Sequence, residues 1–139
     1  MINSNILSGS PTTPSGSLSI LVVEDNAINL RLITAALTRA GHHVDSAMDG
    51  SAAILKFSQD RYDVILMDIM MPVMDGISAT REIRKIESLR EIANEDRVKI
   101  IAITANAFED DRAKFFDAGM DFYMNKPVEI EELMKILNS

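Results

Sequence analysis

Five polar residues of this sequence stand at or just beyond the ends of apolar runs. Carboxylates and a hydroxyl are oxygen donors suited to a hard cation such as Mg²⁺, and a lysine supplies a compact charge for a phosphate oxygen. Together they could support phosphoryl chemistry, provided that the fold brings them to one place. The five are Glu24, Asp25, Asp68, Thr104 and Lys126.

The elements that must position these residues follow a regular alternation. Buried parallel strands read as continuous apolar runs, and right-handed crossovers place helices on both faces of the sheet. We therefore predict an α/β fold, a doubly wound (βα)5 three-layer sandwich with a five-stranded parallel sheet. The predicted strands are 19–23, 43–47, 63–67, 98–104 and 121–124, and the predicted helices are 27–40, 51–59, 77–91, 107–118 and 129–138.

Residues that favour helix ends support this division. Gly41 and Gly119 are suited to helix C-termini, and either Asp49 or Ser51 could cap the second helix. Asn26 is expected to cap the first helix, and Asp75 and Gly76 to shape the turn that begins the third.

The first 17 residues differ from the rest. Residues 8–17 read SGSPTTPSGS, which has too few apolar side chains to offset the entropy of ordering. We expect residues 1–17 to be a flexible linker or tail and residues 18–139 to form one domain.

Composition narrows the function classes. The chain has 139 residues, 47% hydrophobic, and a formal charge of −7, which repels a nucleic-acid backbone. No apolar stretch reaches the roughly 18 residues of a membrane span. With no cysteine and no apparent secretory leader, a cytoplasmic location is expected.

The carboxyl ends of parallel strands form one edge of the sheet, where ligands bind. Three carboxylates meeting there would raise one another's pKa values unless a cation joined them, and oxygen ligands favour Mg²⁺. Lys126 and Thr104 could then stabilise a phosphoryl group, which leaves Asp68 as the nucleophile. Taken alone, Thr104 could equally be a β-branched strand residue and Lys126 a solvated surface lysine.

Four segments of the sequence together resemble the receiver domain of response regulators. Their order and spacing follow the family's pattern without departure, and the likeness extends over residues 18–138. The resemblance implies the flavodoxin-like strand order 2-1-3-4-5. The segments are EDN at 24–26, DVILMDIMMPVMDG at 63–76, IIAITANA at 100–107 and NKPV at 125–128.

The resemblance also implies the roles of the acids. Asp68 would accept a phosphoryl group from a phosphohistidine in a Mg²⁺-dependent reaction. Glu24 and Asp25 would hold the ion together with Asp68 and the backbone carbonyl of Met70.

Further roles follow from the same resemblance. Thr104 and Lys126 would contact the phosphoryl group, Thr104 and Tyr123 would form the switch, and Lys126–Pro127 would be a cis peptide. Met70 and Asn106 would tune the lifetime of the acyl phosphate. Tyr123 could instead be an ordinary core ring with a solvated hydroxyl.

The predicted helix 27–40 is more apolar than one buried stripe requires. By resemblance, its outer surface would dock the helical bundle of a histidine kinase or a histidine phosphotransfer protein. An ordinary alanine-rich surface is the alternative. We expect a monomer, and the EDN and ITANA segments most resemble receivers of hybrid histidine kinases.

Three other functions share some of these features. A flavin mononucleotide module of the same fold needs a phosphate-binding loop where this chain has acidic EDN. A haloacid-dehalogenase-type phosphatase would require a second acid at the position of Met70. A receiver-shaped interaction module that is never phosphorylated would not need the full acidic set.

Overall fold

The computed structural model describes residues 16–105 and 112–138. Within them, five strands alternate with five helices, as predicted. The strands are β1 (Ser19–Val23), β2 (His43–Ala47), β3 (Val64–Asp68), β4 (Lys99–Thr104) and β5 (Phe122–Asn125). The helices are α1 (Ala27–Arg39), α2 (Gly50–Gln59), α3 (Gly76–Leu89), α4 (Arg112–Ala118) and α5 (Ile130–Leu137).

All strand pairings are parallel, and the strand order is β2-β1-β3-β4-β5. This confirms the doubly wound (βα)5 prediction and the order implied by the resemblance. The central strand β3 pairs with β1 on one side and β4 on the other, and every one of its residues is buried. Its last residue, Asp68, therefore lies at the middle of the sheet's carboxyl edge.

The sheet separates two hydrophobic cores. Helices α2, α3 and α4 cover one face, where Phe57, Ile83 and Phe115 are buried. Helices α1 and α5 cover the other face, where Leu37 and Leu133 are buried. Successive residues of a strand point to opposite faces, so continuous apolar strands are needed to fill both cores.

The helix ends agree with the sequence in part. Asn26, Asp49 and Asp75 are N-caps whose side chains each accept a hydrogen bond from a backbone N–H. Asp49 therefore caps α2, and the alternative cap, Ser51, lies inside the helix. Gly41 and Gly119 both adopt positive φ, as C-terminal glycines do.

Some predicted bounds were wrong. Helix α3 ends at Leu89 rather than at 91, because Glu91 adopts a φ of 57° that no right-handed helix contains. A short 3₁₀ turn, Asn94–Asp96, was not predicted. Residues 1–15 of the predicted tail and the first residues of the predicted helix 107–118 lie outside the described residues. In the part of the chain that the structure describes, no helix is long and apolar enough to span a membrane.

Candidate functional site

The strand ends bring together the residues that the sequence singled out. Glu24 directly follows β1, Asp68 ends β3, Thr104 ends β4 and Lys126 directly follows β5. Glu24, Asp25 and Asp68 each offer a carboxylate oxygen, and these three oxygens lie within 4.8 Å of one another. The predicted acidic cluster is therefore present at the carboxyl edge of the sheet.

Asp68 and Lys126 form the centre of this cluster. The Nζ of Lys126 donates to Oδ2 of Asp68 at 2.9 Å, and the other carboxylate oxygen accepts from the backbone N–H of Met70 at 3.2 Å. Asp68 is 1% exposed, whereas the side chain of Lys126 is only partly buried. The lysine balances one of three acids, so negative charge remains at the site.

Glu24 is held by the backbone that follows it. The N–H of Asn26 donates to Oε2 of Glu24 at 3.0 Å, while the side chain of Asn26 caps α1 by accepting from the N–H of Asn29 at 2.9 Å. Glu24 is 2% exposed, but its neighbour Asp25 is exposed to solvent. The cluster thus has two buried acids and one acid on its open side.

The electrostatics follow from this burial. Burial raises the pKa of Glu24 to about 7, aided by the charge of Asp68 and opposed by the hydrogen bond from Asn26 and the charge of Lys126. Burial lowers the pKa of Lys126, but its hydrogen bond to Asp68 and the nearby acids outweigh that effect and raise it. Without a further cation, Glu24 holds its proton far more readily than an ordinary glutamate does.

The loop after β3 is fixed close to Asp68. The N–H of Gly76, the first residue of α3, donates to the carbonyl of Ile69 at 3.0 Å. A Cβ at position 76 would collide with the backbone carbonyl of Asp68, so only glycine fits there. Within the loop, Val73 adopts a φ of 69°, which costs a β-branched residue about 1–3 kcal/mol.

The predicted switch residues lie on the two neighbouring strands. Thr104 is buried at the end of β4, and its carbonyl accepts from the N–H of Lys126 at 2.8 Å. Tyr123 of β5 is partly buried and packs against Phe116 of α4, with an edge-to-face geometry and 6.3 Å between ring centroids. The guanidinium of Arg112 lies over the Tyr123 ring, 4.9 Å from its centroid.

A groove runs from the acidic cluster between α1 and the start of α5. Its cavity volume is about 500 Å³. Leu32 of α1 lines the groove and is 65% exposed, and Ile28, one turn earlier on the same helix, is 72% exposed. The groove is lined by Glu24, Asn29, Leu32, Ile33, Lys126, Pro127, Val128 and Ile130.

Residues 20–138 match the response regulator receiver domain family, which covers nearly all of the described chain. The chain belongs to this family.

Curated relatives of this receiver domain include long signalling proteins. Hybrid signal transduction histidine kinase L of Dictyostelium discoideum is 43% identical over 121 residues, which cover 85% of this chain and 7% of that protein. Hybrid signal transduction histidine kinase I of the same organism is 39% identical over 139 residues, covering 96% of this chain and 8% of that protein. The receiver domain thus spans less than a tenth of either relative.

Solved structures with the same fold support the assignment. The receiver domain of a sensor histidine kinase from Pseudomonas aeruginosa, crystallised with magnesium coordinated in its active-site cleft, is 46% identical, with a TM-score of 0.76. That match covers 88% of this chain and 95% of the other. A Saccharomyces cerevisiae receiver domain in complex with a histidine phosphotransfer protein is 28% identical, with a TM-score of 0.81, covering 88% and 87% of the two chains.

The remaining predictions about this receiver domain have mixed outcomes. The Lys126–Pro127 bond is cis, as the resemblance implied. Asn106 lies outside the described residues, and the part of Met70 as a carbonyl ligand stays a prediction. The contact of Arg112 with Tyr123 was not predicted from the sequence. The i,i+4 spacing of Arg112 and Phe116 indicates only that the two share one face of a helix.

Proposed function

We propose that this receiver domain accepts a phosphoryl group on Asp68 from a phosphohistidine, in a Mg²⁺-dependent reaction. The observation that carries the proposal is the placing of three carboxylates within 4.8 Å of one another, with Lys126 bonded to Asp68. Neither hydrophobic packing nor helix capping requires that arrangement. The domain then acts as a phosphoacceptor within a two-component phosphorelay.

The acidic cluster fits a magnesium ion. Three carboxylates face one lysine, and burial, aided by the charge of Asp68, raises the pKa of Glu24, so a cation here would stabilise a poorly solvated carboxylate. Mg²⁺ prefers oxygen ligands and keeps several waters, and the exposed side of Asp25 leaves room for them. We assign Glu24, Asp25, Asp68 and the Met70 carbonyl as its ligands. When bound, the ion would supply positive charge to the phosphoryl oxygens.

The residues of the chain then have separate parts in the transfer. A carboxylate oxygen of Asp68 forms a bond to phosphorus as the phosphorus–nitrogen bond breaks, and the electrons of that bond pass to the imidazole nitrogen. Lys126 exchanges its hydrogen bond to Asp68 for one to a phosphoryl oxygen, which balances the added charge. The hydroxyl of Thr104 donates to another phosphoryl oxygen.

The readout belongs to the same proposal. Phosphorylation replaces the single negative charge of the Asp68 carboxylate with the charge of about −1.5 to −2 that a phosphoryl group carries, and it brings new acceptors beside Thr104 and Lys126, which can shift a two-state equilibrium. We assign Thr104 and Tyr123 as the switch and propose that the surface from 106 to 138 changes its affinity for partners. Met70 and Asn106 would tune how long the acyl phosphate persists. Slow self-dephosphorylation, rather than turnover of an external substrate, returns the domain to its resting state.

The donor would be a histidine kinase or a histidine phosphotransfer protein that docks on α1. The exposed Leu32 in the groove, and the exposed Ile28 one turn before it on α1, support this surface. The yeast complex with a phosphotransfer protein and the hybrid-kinase relatives support the choice of donor.

We further propose a monomeric receiver over residues 18–139, a linker at 1–17, a cytoplasmic location, and an origin within a hybrid histidine kinase.

The experiment that tests this proposal is phosphorylation by a small acyl phosphate with Mg²⁺, followed by intact mass. We expect one added phosphoryl group on the wild-type protein and none on Asp68→Asn. The matched control is Asp75→Asn, because Asp75 caps α3 outside the acidic cluster and asparagine is an equally good cap. Absence of any adduct would favour an unphosphorylated interaction module, and turnover of small phosphate esters would favour a phosphatase.

A further inference from the structure

The C-terminal end of α4 is tied to neighbouring elements by hydrogen bonds from one arginine. At the C-terminal end, Nε of Arg84 donates to the carbonyl of Gly119 at 2.9 Å, and Nη2 donates to Asp121 at 2.9 Å. Nη1 of the same guanidinium donates to Glu87 at 2.7 Å and to the carbonyl of Val98 at 2.8 Å. One side chain from α3 therefore ties this end of α4 to the amino ends of β4 and β5.

Much of this C-terminal attachment is shielded from water, although the side chain of Asp121 is 45% exposed. The Arg84 side chain is 14% exposed and Glu87 is buried. Phe115, Ala118 and Met120 are buried around the same end of the helix. Charged hydrogen bonds out of contact with solvent are costly to break, so this end of α4 is fixed.

Arg112, at the start of α4, contacts the ring of Tyr123. Arg112 and Phe116 lie four residues apart and share the face of α4 that meets Tyr123. Both are exposed, and Arg112 contributes its guanidinium 4.9 Å from the centre of the ring. An exposed cation–π contact changes an equilibrium by only about two- to fivefold.

Tyr123 is also connected to the acidic cluster. It lies on β5, three residues before Lys126, and pairs with Ala102 of β4. The carbonyl of Thr104, at the end of β4, accepts from the N–H of Lys126. The strand that carries the ring is therefore the strand that delivers the lysine to Asp68.

We propose that Arg112 is a positioning residue that holds the Tyr123 ring against α4 while Asp68 is unphosphorylated. Loss of the Arg112 contact favours the ring orientation that phosphorylation selects. The link to phosphorylation rests on the proposed function of Asp68. The contact itself does not.

The two tyrosines and the absence of tryptophan make the ring directly observable. Incorporation of 3-fluorotyrosine yields one fluorine signal from Tyr62 and one from Tyr123, and Tyr62→Phe assigns them by removing one. Tyr62 is buried with its hydroxyl 2.7 Å from Asp45, so its signal also reports that each variant is folded.

Three substitutions then test the positioning role. In Arg112→Gln, the Tyr123 signal of the unphosphorylated protein should move toward its position in the phosphorylated wild type, as expected of an equilibrium shifted about two- to fivefold. Arg112→Lys retains the cation and should stay near the wild-type position. Lys114→Gln is the matched control, because it removes the same charge about 200° around the helix from Arg112.

An unmoved Tyr123 signal in Arg112→Gln would overturn the proposal. Equal displacement by Lys114→Gln or by Arg112→Lys would overturn it too, since neither is specific to the cation over the ring. If the wild type takes up no phosphoryl group, the proposed function fails. The unphosphorylated variants still decide whether Arg112 holds the ring, by whether Arg112→Gln alone shifts its signal.

Discussion

The negative charges around Asp68 are only partly balanced by Lys126. Lys126 lies 2.9 Å from Asp68 and 3.9 Å from Glu24, so one cation bridges two buried acids. That single charge does not balance three carboxylates, and burial, aided by the charge of Asp68, raises the pKa of Glu24. A divalent ion would restore the balance, and an incoming phosphoryl group would then meet the positive charges of that ion and of Lys126.

The first prediction concerns the pH dependence of Mg²⁺ binding. The pKa of Glu24 is raised in the folded, metal-free protein to about 7, so protons compete with Mg²⁺ for this carboxylate below that pH. We expect affinity to be about tenfold weaker at about pH 6 than at about pH 8, by titration calorimetry. In Glu24→Gln, Mg²⁺ affinity should be lower at both pH values. The part of the pH dependence that comes from Glu24 should be lost. Equal wild-type affinity at the two values would contradict the role of Glu24.

The same shift has a consequence for folding. A carboxyl whose pKa is raised in the folded state stabilises the fold below its unfolded pKa, and that contribution is lost as pH rises through the folded pKa. For Glu24 the loss should fall between about pH 4.5 and 7 in metal-free protein, and Mg²⁺ should offset it. Glu24 thus contributes to binding at the expense of stability.

The loop between β3 and α3 shows how an element positions Asp68, the proposed phosphoacceptor. Gly76 begins α3 against the backbone carbonyl of Asp68, and Asp75 caps the helix by accepting from the N–H of Ser78 at 2.8 Å. The absence of a side chain at position 76 therefore allows the start of α3 to approach the end of β3. The strained φ of Val73 belongs to the same tight turn.

We predict that Gly76→Ala displaces this loop. Since its Cβ would overlap the Asp68 carbonyl and lie 2.9 Å from Cγ of Met67, unfolding free energy should fall by about 1–3 kcal/mol. Phosphorylation of Asp68 by an acyl phosphate should also slow, as followed by intact mass. Gly41→Asn is the control, because that site is open and asparagine tolerates positive φ. Unchanged phosphorylation in Gly76→Ala would show that the loop does not position Asp68.

Helix α1 is the element that we expect to meet the donor. Leu32→Glu should slow phosphotransfer from a phosphorylated histidine phosphotransfer protein by about tenfold or more, because it places a charge in an apolar contact. Labelling by a small acyl phosphate, which needs no docking, should be unchanged. Leu55→Glu on α2 is matched, since Leu55 is 58% exposed. Equal rates of protein-to-protein transfer for both variants and wild type would exclude docking at Leu32.

In the described part of the molecule, two clusters of charged groups lie at opposite edges of the sheet. The carboxyl edge holds the acids and Lys126. The amino edge holds the network of Arg84, Glu87 and Asp121, in which Glu87 also accepts from the N–H of Val98 at 2.7 Å. Each of the three side chains in that network has a hydrogen-bond partner, as expected of a region that stabilises the fold.

We predict that Arg84→Met lowers the stability of the fold without changing Mg²⁺ affinity. It leaves the buried carboxylate of Glu87 without its cation, so unfolding free energy should fall by about 3 kcal/mol in urea denaturation. Mg²⁺ affinity should be unchanged, because Arg84 contacts the opposite edge. Lys85→Met removes an exposed pair with Glu82 at 3.4 Å and should alter stability by less than about 1 kcal/mol. A large loss of Mg²⁺ affinity in Arg84→Met would contradict this prediction.

The sequence alone was sufficient for the order of elements and the location of the site. Apolar runs of strand length separated by helical patterns determine a parallel sheet, and such a sheet places every strand's carboxyl end at one edge. For that reason Glu24, Asp68, Thr104 and Lys126 could be assigned to one place from their positions along the chain. Local chemistry likewise identified Asn26 as a cap and Gly41 and Gly119 as helix ends.

Only the tertiary structure decided which side chains meet across elements. Arg84 joins residues up to 37 positions away, and Arg112 meets a ring on the next strand. The pKa of Glu24 likewise depends on burial that no neighbour in the chain reveals. Periodicity and capping act over a few residues, whereas pairing and desolvation depend on the packed distances between segments. The chain's pattern thus determined where the chemistry lies, and packing determined the partners and charges through which it acts.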